Sequence, residues 1–513
     1  MQILKARRRW VPGVGLLVWI TLATPVTRAA DAETESLKIQ MQALITRIEA
    51  QERELAELKD AQRALLERLE KKATPAPPAA PITAAAVPET RNSLADHLKI
   101  GGYGSVRFET NDAPGSAAGF TFRRFVLTTD ARLSSRLRVH SETEFERLHS
   151  IEVEKKVNAG GGLELEQTVE GNSGGEISME QMWGQYNFAE NHGIRAGVVL
   201  PPLGRFNILH DDDYWDLPRR TLVDRDAAVI PVKSAWRELG AGLVGGFNLG
   251  RGAKLDYEFY LLNGATLDFN LESALRPGGV VGSIGEFELT SGAFDGSQKA
   301  RAIAWRTSLS PTLAGEFAFS GYHGRYTPNY LGAGEPLNSL GFDYKWRHRA
   351  FEIEGEAIYS SFGRTRRVLE AFARTALDSE TAATELELTG LARTRYGFWN
   401  DFKYNWRPAF LKRSFLGRTF DDPRLIPILR YERVWLNDMV EELAFQNGAI
   451  TDLDMDNLAQ ERISLGLSYR PMRSFGIQFA YEHNRRVKGR QLIFPRVPVN
   501  ATNGLLTGMV FSF

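Results

Sequence analysis

A chain of 513 residues with 63 lysines and arginines against 63 aspartates and glutamates has no formal net charge, and it contains no cysteine. The even balance excludes the basic footprint of a nucleic-acid binder, and the missing thiols exclude a disulfide framework and thiolate chemistry. Five of the basic residues (Lys5, Arg7, Arg8, Arg9 and Arg28) fall in the first thirty positions, so the rest carries 58 basic against 63 acidic side chains and is mildly acidic.

Lys5 and Arg7 to Arg9 precede an apolar stretch from Val11 to Ala23, and Thr27-Arg-Ala29 supplies small residues for cleavage. That is the build of an export signal over residues 1–29. The stretch is too short for a membrane anchor, which needs roughly 20 apolar residues. Arg7-Arg8 alone is a weak twin-arginine signal. No later run is apolar and long enough to be a membrane helix.

Residues 31–72 contain a 4-3 repeat of Leu37, Met41, Leu44, Ile48, Leu55, Leu58, Leu65 and Leu69, with Gln51 and Gln62 on the same seam. This predicts an α-helical coiled coil about 50 Å long. Polar seam positions fix register or strand number at a cost in stability. An amphipathic helix packed on the chain's own remainder is the other reading. Residues 73–97, rich in Ala and Pro at their start, read as a semi-rigid linker.

From Leu98 the period becomes two. Leu137, Val139 and Phe145 oppose Arg136, Arg138, His140, Glu142, Glu144 and Glu146. Phe351, Ile353, Ala357 and Tyr359 oppose Glu352, Glu354 and Glu356. Soluble sandwich strands alternate too, so the turns decide. Short ones fall at 134–135, 189–193, 250–252, 310–311, 347–349 and 471–473. Long ones fall at 111–119, 149–176, 201–236, 264–298, 324–337, 362–393, 438–458 and 486–503. Short turns on one side and long loops on the other are the outer-membrane pattern. The spacing predicts an all-β fold over 98–513, a sixteen-stranded antiparallel transmembrane β-barrel. The stretch 407–424 is too long for its short-turn side and leaves the count open by two. The last strand alternates to the end, with Leu505, Met509, Phe511 and Phe513 on one face. Such a terminal aromatic sits well at the headgroup level.

The connection 201–236 is unusually apolar, with Phe206, Ile208, Leu209, Trp215, Leu217, Val229 and Ile230. Those side chains need packing, which a loop folded into the lumen would supply; Gly240, Gly242 and Gly246 on the next strand would make room. Its charges, Asp211, Asp212, Asp213 and Asp216 against Arg205, Arg219, Arg220, Arg225 and Lys233, are the expected pore constriction. Opposed acids and arginines set up a transverse field that sorts polar solutes, and the arginine fork suits phosphate and carboxylate. The same charges would also serve by pairing and bracing the loop.

Arg124, Arg132, Arg136 and Arg138 are expected on the lumen wall facing Glu142, Glu144 and Glu146, as an anion path or a salt-bridge ladder. His210-Asp211-Asp212-Asp213 has the donors for a hard cation such as calcium, but lacks EF-hand spacing or a glycine. No metal, cofactor or catalytic residue is expected, since no Gly-x-Ser-x-Gly, His-Glu-x-x-His or P-loop occurs and eight histidines are scattered.

Gly102-Tyr-Gly-Ser-Val-Arg-Phe-Glu109, Phe122-Arg-Arg-Phe-Val-Leu127, Arg195-Ala-Gly-Val-Val-Leu-Pro-Pro-Leu-Gly204 and Phe513 resemble phosphate-selective porins of the O and P type. The resemblance implies a homotrimeric sixteen-stranded barrel in the outer-membrane lipids, a folded-in third loop and an arginine-lined anion path. It implies that Phe513 is read by the barrel-assembly machinery. Such porins owe phosphate selectivity to lysines near the constriction, whereas Lys233 is the sole lysine of 201–236. The expected function is passive diffusion of small hydrophilic solutes, phosphate-like anions among them. The helical N-terminus would extend into the periplasm toward peptidoglycan. The competing class is a structural tether or adhesin with a plugged barrel.

Overall fold

The computed structural model describes residues 97–513 except 148–150, 159–163, 172–175, 227–228, 234, 276–280, 293–301, 376–383, 390 and 447. The expected export signal, the coiled coil and the linker up to residue 96 lie outside the described residues.

Among the described residues twenty-one strands follow in chain order. They are β1 Leu98–Asn111, β2 Gly119–Arg132, β3 Leu137–Glu146, β4 Ile151–Asn158, β5 Glu164–Gly171, β6 Glu176–Ala189 and β7 His192–Val199. Next come β8 Glu238–Gly250, β9 Ala253–Leu262, β10 Thr266–Leu275, β11 Val281–Thr290, β12 Ala302–Thr312, β13 Gly315–Arg325 and β14 Pro336–His348. The last are β15 Phe351–Phe362, β16 Thr384–Thr389, β17 Ala392–Tyr404, β18 Arg424–Gln446, β19 Ala449–Met472, β20 Phe475–Lys488 and β21 Ala501–Ser512.

Sixteen of them form one closed antiparallel ring. Each pairs with the next in chain order, skipping β4, β5, β10, β11 and β16. β21 returns to β1, from Tyr103 opposite Ser512 to Asn111 opposite Gly504. Closure leaves no free edge. The chain end takes part in the seam: Phe513 N–H donates to Gly102 O at 3.0 Å and Gly102 N–H to Phe513 O at 3.2 Å. A side chain at Gly102 would collide with the Val126 carbonyl, so the seam strand needs glycine there.

Alternation dictates what each face of the ring meets. Leu505, Met509 and Phe511 are exposed, while Leu506 and Val510 are buried inside. Phe259, Leu261, Phe319, Leu340, Leu465 and Phe479 lie exposed on the outer wall in the same way. Aromatic pairs gather at the short-turn end, including Phe351 with Tyr404 at 4.8 Å and Phe317 with Trp346 at 5.9 Å. An apolar band with aromatics at its rim is what lipid and headgroups favour. Among the described residues no helix is long and apolar enough to cross a membrane, which says nothing against strands doing so.

Expectations about connections change: the turn expected at 310–311 falls inside β12, and 149–176, 264–298 and 362–393 hold β4 and β5, β10 and β11, and β16. Residues 438–458 are largely strand, because β18 and β19 run on for 23 and 24 residues. A spanning strand takes about 9–11 residues, so this hairpin projects past the bilayer. There the ladder is wet on both sides, and Glu441, Glu442, Asp452, Asp454 and Asp456 erase the alternation that marks a strand in lipid. β16 pairs antiparallel with this projection and parallel with β11, so a small sheet stands above the rim. The long turn 405–423 holds a five-residue helix, Ala409–Arg413, and adds no strand. The count is sixteen.

Candidate functional site

The chain leaves β7 at Val199 and runs inside the ring until β8. Gly204, at φ 73°, turns it into the short helix α1, Arg205–Ile208. Gly204 N–H donates to Ser320 Oγ at 3.1 Å, and the Phe206 amide donates to the Glu356 carboxylate at 2.8 Å. Phe206 stacks on Trp215 with centroids 4.2 Å apart, and both meet Trp399 of β17 edge-on at 6.0 and 5.5 Å. Leu203, Phe206, Trp215, Leu217, Val229 and Ile230 are buried. Each such side chain contributes roughly 1.5–3 kcal/mol when removed from water. The apolar loop therefore packs within the barrel, as its composition predicts. The room it needs comes from elsewhere than expected. A side chain at Gly242 would collide with the wall residue Tyr260, whereas Gly466 and Gly508 face Leu217 and Pro218 of the loop.

Most of the loop's charges are tied to the wall. Asp212 accepts from Ser105 Oγ at 2.6 Å and lies 3.5 Å from Arg124 Nε and 3.9 Å from Arg220 Nε. Asp216 pairs with Arg470 at 2.6 Å and Lys403 at 3.4 Å. Arg219 pairs with Glu109 at 3.0 Å and Glu482 at 2.8 Å. Arg220 donates to His210 O at 2.9 Å. Arg462, itself paired with Glu432 at 2.5 Å, donates to Arg220 O at 2.7 Å, and Leu222 N–H donates to Glu432 at 2.8 Å. Arg470 and Gln478 each donate to Trp215 O at 2.7 Å. These groups brace the loop against β1, β2 and β17 to β20.

Burial would raise the carboxyl values of Asp212 and Asp216. For Asp212, Arg124, Arg123 and Arg220 outweigh it; for Asp216, Lys403 and Arg470 do, so both lie below the ordinary carboxylate range. Asp213 goes the other way, pushed up to about 6 by burial and by neighbouring Asp211. Arg225 lies on the π-helical turn Leu222–Asp226, with its side chain outside the described residues. Lys233 is exposed and pairs with Glu288 at 3.0 Å.

The expected arginine ladder is assembled only at Arg124, which pairs with Glu144. In the β2–β3 hairpin Arg132 sits opposite Arg138 beside the turn, while Arg124 sits opposite Glu146 at the far end. Arg132, Arg136 and Arg138 are exposed at the short-turn rim, where Arg138 pairs with Asp130. Arg124 and Arg123, both buried around a bulge in β2, take Glu144 at 3.0 Å and Glu146 at 3.5 Å. Glu142 is left to Gln181, which donates to it at 2.6 Å.

Among the described residues, polar space beside the loop includes two cavities. The larger, about 640 Å³, opens toward the short turns and is lined by Arg195, Arg205, Tyr214, Glu258, Arg306 and Glu316 among others. Arg205 reaches Glu316 at 3.0 Å and Glu354 at 3.4 Å. Arg306 pairs with Asp343 and, at 3.1 Å, with Glu316. Arg195 donates to Gln185 and Tyr260, each at 3.0 Å, and lies 4.1 Å from the Trp183 ring centroid. The smaller, about 280 Å³ at the long-connection end, is lined by Glu144, Glu146, Glu176, Glu180, Lys233 and Glu288. Of the expected constriction only Arg205 and Lys233 line these cavities. Arg195, Arg306 and Glu316 were missed because a lone charge on an alternating strand looks like any lumen residue until the loop shows which wall stays open.

No family model matches the chain. An uncharacterized protein of Aquifex aeolicus is 27% identical over 167 residues, 33% of this chain and 32% of its own length. The chain thus spans about a third of that relative. Among solved structures, OmpF of Salmonella typhi in complex with daunomycin has a TM-score of 0.45 at 9% identity, over 81% of this chain and 97% of its own. An anion-selective porin from Comamonas acidovorans has 0.44 at 10%, over 81% and 99%. The outer-membrane channel DcaP of Acinetobacter baumannii has 0.43 at 9%, over 81% and 97%. The assignment of this chain to a sixteen-stranded barrel rests on its own strand pairing.

Proposed function

We propose that the chain is an outer-membrane porin, a passive channel for small hydrophilic solutes with phosphate-like anions among them. The observation that carries this reading is the polar cavity of about 640 Å³ left between the docked loop and the wall of β6 to β9, β12 and β13. The apolar outer band supports a place in lipid, and the charged lumen supports an aqueous route. Arg195, Arg205 and Arg306 line that route with an acid beside each, Glu258 at 3.7 Å from Arg195 and Glu316 shared by Arg205 and Arg306, so polar solutes meet both signs of charge along it. Assembly as a homotrimer, reading of Phe513 by the barrel-assembly machinery, and a periplasmic coiled coil reaching toward peptidoglycan belong to the same proposal.

Reversal potentials across a salt gradient test the route. Arg195 has two neutral partners, and its nearest carboxylate, Glu258, lies 3.7 Å away and part-exposed, so Arg195→Ala strands no buried acid. A charge about 4 Å from a passing ion is worth roughly 1 kcal/mol in water, a factor of about five in preference. The expected result is a loss of anion preference on that scale; unchanged selectivity removes this wall from the path. The many loop-to-wall pairs also suit a plugged tether, and that reading requires zero conductance.

A further inference from the structure

One group of buried side chains lies away from the larger cavity. Glu142 of β3, Glu180 of β6, and His210 and Asp211 of the loop each place a ligand atom within 4.8 Å of the other three. Glu142, Glu180 and His210 are exposed by only 2%, 1% and 1%. Glu142 uses one oxygen to accept from Gln181, while its Oε1 is enclosed and receives no hydrogen bond. Asp211 Oδ1 is enclosed in the same way. His210 is held from behind, with Nδ1 3.1 Å from Asn207 O and Nε2 turned to Glu180 at 2.8 Å. A backbone carbonyl on one ring nitrogen is the support that leaves the other nitrogen to a metal.

Both ring nitrogens of His210 face acceptors, Asn207 O and Glu180, so a bound dication would take the place of a proton between Nε2 and Glu180.

We propose that Glu142, Glu180, His210 and Asp211 form a divalent-cation site that pins the loop to β3 and β6. Bonds of about 2.0–2.2 Å set tetrahedral ligand atoms roughly 3.3–3.6 Å apart, so a cluster whose ligand atoms lie within 4.8 Å closes on one ion by small side-chain shifts. Three carboxylates with one imidazole suit Mn²⁺ or Zn²⁺ better than Mg²⁺ or Ca²⁺, which prefer oxygen alone. The site needs the folded loop, because residues 210 and 211 meet β3 and β6 only when 201–236 lies inside the ring.

The test uses the full chain without a histidine tag, purified in detergent, stripped with EDTA and titrated separately with MnCl₂, ZnCl₂ and CaCl₂ by calorimetry. The expected result is one tight site per chain for Mn²⁺ or Zn²⁺, weakened at least about tenfold by His210→Ala and by the isosteric Glu142→Gln. His323→Ala, on the barrel exterior, is expected to change nothing. Circular dichroism and heat-dependent gel mobility report whether each variant keeps its barrel; if His210→Ala does not, Glu142→Gln decides. Absence of a site in the wild type, or unchanged affinity in a folded Glu142→Gln, overturns the proposal. The readout is binding, so its outcome is separate from that of the channel reading.

Discussion

Gly466 and Gly508 show how single residues seat the loop. A Cβ at Gly508 would stand 2.9 Å from Pro218 Cβ and 2.8 Å from Gln478 Oε1, and one at Gly466 would strike Leu217. Gly508→Val is therefore expected to unseat the 216–220 segment, read as a larger single-channel step. Arg462 and Glu432 are both fully buried, and Glu432 also holds the Leu222 amide. Removing one partner of such a pair costs about 3–5 kcal/mol. Arg462→Ala is expected to loosen the same segment, measured as faster proteolysis near 220 and noisier open-channel current. Asp216 sets a pH window. Its folded value is depressed below 3.8, so its contribution is complete above that value and lost as pH falls through the folded one. Asp216 is expected to stay ionised between pH 7 and 5, where Asp213 titrates instead, so any step-size change in that range is expected to vanish in Asp213→Asn, while Asp216→Asn is expected to mimic at pH 7 the state reached only in stronger acid. At this scale the sequence was legible in composition and not in pairing. Arg219 and Arg220 belong to the loop on any reading, but whether they face solute or wall depends on Glu109, Glu482 and Asp212 arriving from elsewhere.

Among the elements, the barrel strands were legible because lipid demands an apolar residue at every second position over their length. β15 follows that rule from Phe351 to Tyr359, and β21 follows it at Leu505, Met509 and Phe511 with Thr507 the exception. The hairpin tip of β18 and β19 was not legible, because a ladder in water has no such demand. The helix Thr365–Thr375, α2, belongs to the same outer layer. It buries Val368, Leu369, Ala371 and Ala373, and Phe372 meets Phe287 of β11 at 5.4 Å and Phe445 of β18 at 6.1 Å, both edge-on. Each ring pair is worth about 0.5–1.5 kcal/mol. Phe372→Ala is expected to release this cover, seen as faster cleavage of 363–391 by added protease on intact cells, with the barrel itself unchanged.

For the whole molecule, even parity followed from turn lengths and strand number only to within two, since an even ring with both ends on the short-turn side fits one membrane crossing per strand. The lumen was harder to read. Its loop was recognisable as a misplaced apolar segment, yet the wall that stays open depends on a three-dimensional packing choice. The account's central claim is that a lipid-embedded ring is narrowed, without being sealed, by residues 201–236. Single-channel recording in planar bilayers, comparing the wild type with a variant in which 205–217 is replaced by a short Gly-Ser bridge, tests it most directly. The account predicts discrete ohmic steps for the wild type and larger ones for the variant. A silent wild type, or two step sizes that coincide, contradicts it.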